Sequence, residues 1–236
     1  MLRILLCALT LSLSAPAFAD EAAIKKVIEA RMQGAKVEKI TKTPYSGLYE
    51  VQIGNEVLYT DAQANYIFVG NVHDGQTLEN LTEARLQELN KVDFDRFPLD
   101  QAIKLVNGKG TRQLVYFSDP NCPYCKRMDK ELQAIEDLTV YVFLYPILSP
   151  DSMAKSQKVW CSPDRAKAWQ GWMLEGKAPA GEGNCETPIL NNLQLGQQLR
   201  IRGTPALFFP NGQRVSGAIT ADEVRDLLTR AAAKTK

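Results

Sequence analysis

Residues 113–128 read Gln-Leu-Val-Tyr-Phe-Ser-Asp-Pro-Asn-Cys-Pro-Tyr-Cys-Lys-Arg-Met, and this stretch decides the fold. The apolar run from Gln113 to Phe117 predicts a strand. After Cys122-Pro123-Tyr124-Cys125 the period changes, and Met128, Leu132, Ile135 and Leu138 predict the apolar stripe of a helix. A Cys-x-x-Cys pair between a strand and a helix sets its first sulfur at the helix N-terminus. Unpaired amides and the helix dipole favour an anion there. The second sulfur follows one turn on, close enough to attack a mixed disulfide made by the first. Pro123 suits the first helical turn, where its missing N–H has no partner to lose. Cys122 is therefore expected to be an exposed nucleophile, and Cys125 a more buried resolving thiol.

A lowered thiol pKa acts mainly on the leaving group. A fall from about 8.5 to roughly 5 raises the thiolate fraction at neutral pH about thirtyfold. Intrinsic nucleophilicity drops by a similar factor at a Brønsted slope near 0.45, so attack gains little. Release of a mixed disulfide becomes easier and the reduced state more stable. The motif alone does not fix the direction of electron flow.

The N-terminus bears on the chemistry of the cysteines. Arg3, the apolar run Ile4 to Leu13 and the small-x-small triplet Ala17-Phe18-Ala19 predict a cleaved secretory signal over residues 1–19. Cys7 leaves with it, and Cys122, Cys125, Cys161 and Cys185 remain. An even count in an oxidising compartment favours disulfides over metal. A four-thiolate zinc site is the rival reading. Against it, 23 residues separate Cys161 from Cys185, and the only histidine, His73, lies in a differently patterned region. No metal and no cofactor are expected. Without the signal, 27 basic residues face 27 acidic ones, so no net field steers nucleic acid or an anionic membrane. No later stretch is long and apolar enough for a membrane helix.

Outward from the motif, residues 20–77 form a small α+β unit. Glu21 to Met32 is helical, with Ile24, Val27, Ile28 and Met32 on one side. Tyr49–Ile53 and Val57–Thr60 flank the hairpin turn Gly54-Asn55, and Tyr66–Val69 adds a third short run. About sixty residues make a thin core, which oligomerisation commonly supports. Residues 78–91 read as a linker helix carrying Leu78, Leu81, Leu86 and Leu89. Residues 92–236 form the larger domain. It has a strand near Ala102–Val106, the turn Asn107-Gly108-Lys109-Gly110, the motif strand and helix, and the β-prone Val140–Leu144. A helical insert over Ser152–Leu199 follows, then a closing hairpin. A last helix opens with the capping box Thr220 and Glu223. That order is thioredoxin-like.

Three further features carry site expectations. Gly203-Thr204-Pro205 precedes a strand, where a cis Thr204–Pro205 bond suits a tight turn. Beside the cysteine pair, the Thr204 backbone would hold an extended substrate segment. Cys161 and Cys185, if bridged, close a loop of about 25 residues, worth about 3.5 kcal/mol by loop-closure entropy. A second redox pair is the alternative. Trp160, Trp169 and Trp172 read as core of the insert, and Lys126 and Arg127 as a solvated face.

Together these residues resemble the DsbC/DsbG family of periplasmic disulfide isomerases over nearly the whole chain after the signal. Cys122 and Cys125 match the family's active pair, and Thr204-Pro205 its Thr–cis-Pro segment. Trp160-Cys161 with Cys185 resembles the additional structural disulfide of the DsbC branch. Pro123-Tyr124 resembles the DsbG branch, and the balance favours DsbC. The resemblance implies substrate contacts at Tyr124, Thr204 and Pro205. It also implies a V-shaped homodimer joined through its N-terminal domains, facing an apolar cleft and possessing chaperone activity. The implied substrates are unfolded or misoxidised exported proteins, and the implied electron donor is the membrane reductase DsbD. A monomeric DsbA-type oxidase and a redox-independent chaperone are the alternatives. One departure concerns thioredoxin itself: six residues before Cys122 stands Tyr116, where thioredoxin has a buried Asp. No general acid or base is therefore assigned.

Overall fold

The computed structural model describes residues 21–234, so the signal expected over residues 1–19 lies outside the described residues. The chain divides into two compact units, one ending at Glu83 and one beginning at Ala84.

In the first unit, helix α1 (Glu21–Arg31) packs on an antiparallel meander of β1 (Lys39–Lys42), β2 (Tyr49–Ile53), β3 (Glu56–Thr60) and β4 (Ile67–Phe68). Ile24 and Ile28 of α1 meet Ile40, Tyr49, Val51 and Leu58, the buried residues of the sheet's inner face. Gly54-Asn55 makes the turn, and Val51 pairs with Leu58 across it. Strand β1 has one buried residue, Ile40, between lysines, so its apolar signal is faint. Helix α2 (Leu81–Leu89) starts three residues later than the linker-helix expectation. Leu78 is left-handed (φ 61°) and 76% exposed, because Asp74 folds residues 74–78 into a turn by accepting the amides of Gln76 and Thr77. Asn80 then accepts the Glu83 amide at 3.0 Å and caps the helix.

The second unit is a five-stranded sheet ordered β5-β7-β6-β8-β9. Its strands are β5 (Ile103–Asn107), β6 (Arg112–Ser118), β7 (Leu138–Leu144), β8 (Ala206–Phe208) and β9 (Arg214–Ser216). Only β6 and β7 run parallel to each other. Both faces of β6 are covered, which explains its unbroken apolar run. Leu114 and Tyr116 face the core made with α3 (Pro123–Gln133), α5 (Arg165–Glu175) and α7 (Ala221–Lys234). Val115 and Phe117 face the opposite side, where Phe117 stacks on Phe143 at 4.9 Å. Helices α4 (Pro150–Trp160), α5 and α6 (Ile189–Gln198) make up the insert.

Two boundaries differ from the periodicity. The stripe ending in Ile135 and Leu138 outruns its helix: α3 stops at Gln133, Asp137 turns the chain at φ 53°, and Leu138 already belongs to β7. Helical spacing continued there because residues of a turn and of a strand happen to enter the same core. The capping box forms as read, with Thr220 and Glu223 bonded reciprocally.

Candidate active site

Strand β6 delivers the chain to the cysteines, and Asp119 fixes what comes next. Its fully buried carboxylate accepts amides from Asn121 (2.8 Å), Ile147 (2.9 Å) and Leu148 (3.0 Å), joining the cysteine loop to the one after β7. The Asp119 carbonyl oxygen accepts the Cys122 amide at 3.1 Å. Cys122 is therefore held as the N-cap of α3, with Pro123 in the first turn. Its sulfur accepts the Cys125 amide at 3.4 Å, and as a thiol it donates to the Thr204 carbonyl oxygen at 3.3 Å.

Both cysteines carry free thiols. A hydrogen bond from Cys125 lowers the Cys122 thiol from 9.0 to about 5, against the opposing effect of burial. The amides of Cys125 and Tyr124 add to the lowering. Burial first, and then the same hydrogen bond, pushes the Cys125 thiol far up. Loss of a proton from the pair therefore falls first on Cys122.

Cys122 was expected to be exposed; it is 4% exposed, against none for Cys125. The order stands and the degree does not. Cys122 caps α3 with its sulfur against the Thr204 carbonyl oxygen, while Pro123, Tyr124 and Gly203 are exposed.

Thr204–Pro205 is the cis peptide bond, immediately before β8. Ala206 pairs with Phe117 of β6, so this bond lies at the end of β6 from which the cysteine loop departs. Tyr124 is exposed beside Cys122, within 5.8 Å of the Arg127 guanidinium. Cys161 and Cys185 are bonded to each other, tying the end of α4 to the loop before α6. Trp160 and Trp169 are buried, and Trp172 donates its indole N–H to the Pro120 carbonyl oxygen at 2.6 Å. The Lys126 ammonium sits 4.3 Å over the Trp172 ring, and Arg127 donates to the Ala218 carbonyl oxygen. His73 is exposed in the other unit, and no group of three metal-binding side chains occurs among the described residues.

Two buried acids of the site, Asp119 and Asp129, escaped the sequence reading. Asp129 accepts hydrogen bonds from Tyr116 (2.9 Å) and from the Trp169 indole (2.8 Å) inside the apolar core. Burial pushes its carboxyl up to about 7, although both hydrogen bonds pull downward. The absence of a carboxylate at Tyr116 was thus correct, but an acid reaches the core from α3. The available signal was its spacing: four residues after Cys125, it shares that residue's helix face.

Residues 15–83 match the N-terminal domain of disulfide bond isomerase proteins, and residues 99–232 match the thioredoxin-like domain. A probable thiol:disulfide interchange protein DsbC of Bordetella parapertussis is 46% identical over 202 residues, 86% of this chain and 72% of that one. The chain belongs to the DsbC family of thiol:disulfide interchange proteins. A DsbC of Escherichia coli is 29% identical over 217 residues, covering 89% of this chain and 88% of its own. A disulfide interchange protein from Neisseria gonorrhoeae, known as a crystal structure, superposes with a TM-score of 0.55 at 44% identity. It covers 57% of this chain and 98% of its own. This DsbC-family chain is a thiol:disulfide oxidoreductase, mixed α+β, with the family's N-terminal domain ahead of a thioredoxin-like one. No helix among its described residues is long and apolar enough to cross a membrane.

Proposed function

We propose that the protein is a disulfide isomerase of exported proteins, working in the periplasm with Cys122 as nucleophile and Cys125 as resolving thiol. The observation that carries this reading is the placement of the pair at the tip of α3: Cys122 is the helix N-cap, its sulfur accepting the Cys125 amide and facing the Thr204 carbonyl oxygen beside the cis Thr204–Pro205 bond. Cys122 attacks a wrong substrate disulfide, forming a mixed disulfide and freeing a substrate thiolate. That thiolate then attacks another substrate disulfide and rearranges the pairing. If rearrangement stalls, Cys125 displaces the substrate in reduced form and leaves a Cys122–Cys125 disulfide. A reductant of the DsbD type then restores the dithiol. The Thr204 carbonyl oxygen, now facing the Cys122 sulfur, is available to an extended substrate backbone, and Pro205 and Tyr124 flank it. Cys161–Cys185 acts as a structural staple.

The test is refolding of a scrambled multi-disulfide protein. The parent is expected to restore activity and Cys122→Ala to fail; equal rescue by Cys122→Ala would end the isomerase reading. Alkylation of thiols in intact cells separates isomerase from oxidase, since a mostly oxidised pair would favour the oxidase. The exposed apolar Ile147 and Leu148, on the loop held by Asp119, favour an added chaperone activity. Suppression of aggregation should then persist in Cys122→Ala.

A further inference from the structure

One charged cluster beside the cysteines has no part in the exchange steps above. Lys126 follows Cys125 in the first turns of α3, and its amide donates to the Cys122 carbonyl oxygen at 3.1 Å. The two residues therefore stand one turn apart on the same side of the helix. The Lys126 side chain does not simply run out into solvent. Its ammonium lies 4.3 Å from the centroid of the Trp172 ring, and the Lys155 ammonium of α4 lies 4.8 Å from the same centroid. Both lysines and the tryptophan are partly buried. Trp172 is in turn fastened to the cysteine loop, its indole N–H donating to the carbonyl oxygen of Pro120, two residues before Cys122. Helices α3, α4 and α5 thus hold two positive charges at fixed places next to the nucleophile.

The charge of this cluster is not balanced. Asp151 pairs with Lys155 and also accepts the Asn121 side-chain amide at 2.7 Å. On α5, Glu175 pairs with Lys177. Among the described residues no carboxylate pairs with Lys126. A ring face attracts an ammonium through its quadrupole and leaves N–H donors for an oxygen. Arg127 adds a further positive charge, donating to the Ala218 carbonyl oxygen, and the N-terminus of α3 has the same sign.

The Cys122 thiol does not account for Lys126. Its pKa is lowered by hydrogen bonds, first that from Cys125, and no lysine is among the main causes. A partly desolvated ammonium with open donors fits a carboxylate that arrives from outside. One helical turn is about 5.4 Å, a span that a glutamate side chain next to a reacting cysteine can cover.

We propose that Lys126 and Lys155, held on Trp172, form a carboxylate-binding site beside Cys122, and that the protein reacts preferentially with disulfides whose cysteines are flanked by aspartate or glutamate. The proposal rests on the reading of Cys122 as the nucleophile and adds the class of disulfide that it takes. In the step concerned, the Cys122 sulfur bonds to the flanked sulfur as the partner's S–S bond breaks. Cys122 is thereby oxidised into the mixed disulfide. The partner's other sulfur leaves reduced, as a thiolate that solvent protonates. The bound carboxylate neither gains nor loses a proton.

The experiment uses the reduced full chain and three short peptides, each with one cysteine joined by a disulfide to the same coloured aromatic thiol. Two glutamates, two glutamines or two lysines flank that cysteine. The aromatic thiol is the better leaving group, so Cys122 bonds to the peptide sulfur and absorbance follows the release. Each rate is divided by that of dithiothreitol with the same peptide, which removes the peptides' own differences. At neutral pH and low ionic strength the glutamate peptide is expected to react about three- to tenfold faster than the glutamine peptide, and the lysine peptide slowest. The glutamate-to-glutamine ratio should fall to near parity in the double variant Lys126→Gln, Lys155→Gln. Lys126→Gln alone removes the unpaired charge, should lower the ratio by more than half, and carries the test if the double variant does not fold. Lys130→Gln, one turn further along α3 and exposed, should keep the parental ratio. Equal rates for the two peptides in the parent, or an undiminished ratio in Lys126→Gln, overturn the proposal. So does an equal loss in Lys130→Gln, which would make the preference a general field of the helix. Release that survives in Cys122→Ala would instead remove Cys122 as the nucleophile, and the site beside it loses its purpose.

Discussion

At the residue scale, Asp129 has a consequence for stability that is independent of catalysis. Its carboxyl titrates near 3.8 when free and near 7 when folded. Between those values the native state binds more protons than the unfolded state, so stability falls as pH rises through this window. About three units at 1.36 kcal/mol each set a ceiling of roughly 4 kcal/mol. Asp129→Asn cannot titrate. It should match the parent near pH 4 and exceed it by on the order of 2–4 kcal/mol at pH 8. The Cys122 thiol has the opposite linkage, its lowered pKa adding stability as pH rises above about 5 in the reduced protein. That contribution is common to both chains and cancels in their difference. Urea midpoints of the two reduced proteins at pH 4, 6 and 8 measure it; a constant gap would place the Asp129 carboxyl at an ordinary pKa. The acid was not legible in the sequence because its burial depends on partners 13 and 40 residues away, Tyr116 and Trp169. The position of Cys122 at the head of a helix and the cis Thr204–Pro205 bond were legible, the first from local spacing and the second from its combination with the cysteine pair.

At the scale of elements, legibility followed how far each element's pattern is its own. Strand β6 is apolar on both faces and α7 carries its own cap, so both could be read from short windows. Helix α3 could be started from its cysteine cap but not stopped, because Ile135 and Leu138 enter the same core from a turn and a strand. Strand β1 shows one apolar residue among polar ones and could not be read at all. Two contacts of the helical insert each make a prediction. Gly196 of α6 lies against Tyr145, where an added Cβ would come within 2.2 Å of the ring. Tyr145 is itself pinned by its bond to the Ile201 carbonyl oxygen, so it cannot readily withdraw. Gly196→Ala should therefore destabilise by about 1–3 kcal/mol, despite its better helix propensity. A variant as stable as the parent in thermal unfolding would mean that α6 slides freely over the sheet. The disulfide Cys161–Cys185 spans a sequence separation of 24. Replacing both cysteines by Ser should cost about 3.5 kcal/mol through the freed unfolded chain. The rate of attack by Cys122 should be unchanged, whereas a loss of that rate without a loss of stability would instead mark a redox relay.

At the scale of the whole molecule, the first unit has more apolar surface than so small a core can hide. Strand β4 is two residues long and ends the meander, and Tyr66, Phe68 and Val69 around it are all at least half exposed. An edge strand with open backbone groups and exposed aromatics is a template for another chain. The partner that suits it is a second copy, because the same edge then meets itself about a two-fold axis and both β4 edges are closed at once. Such an interface would oblige two redox centres to act within one particle. That matters for isomerisation: a substrate freed from one Cys122 before its pairing is corrected stays near the other. The expected mass by light scattering at micromolar concentration is twice that of one chain. Phe68→Asp with Val69→Asp should reduce it to one chain by setting like charges at the edge. The coloured-disulfide reaction of each Cys122 should persist at the parental rate, while refolding of a scrambled substrate slows severalfold. A charged-edge variant that remains dimeric would move the interface elsewhere, and a monomeric parent would remove the second redox centre from the mechanism.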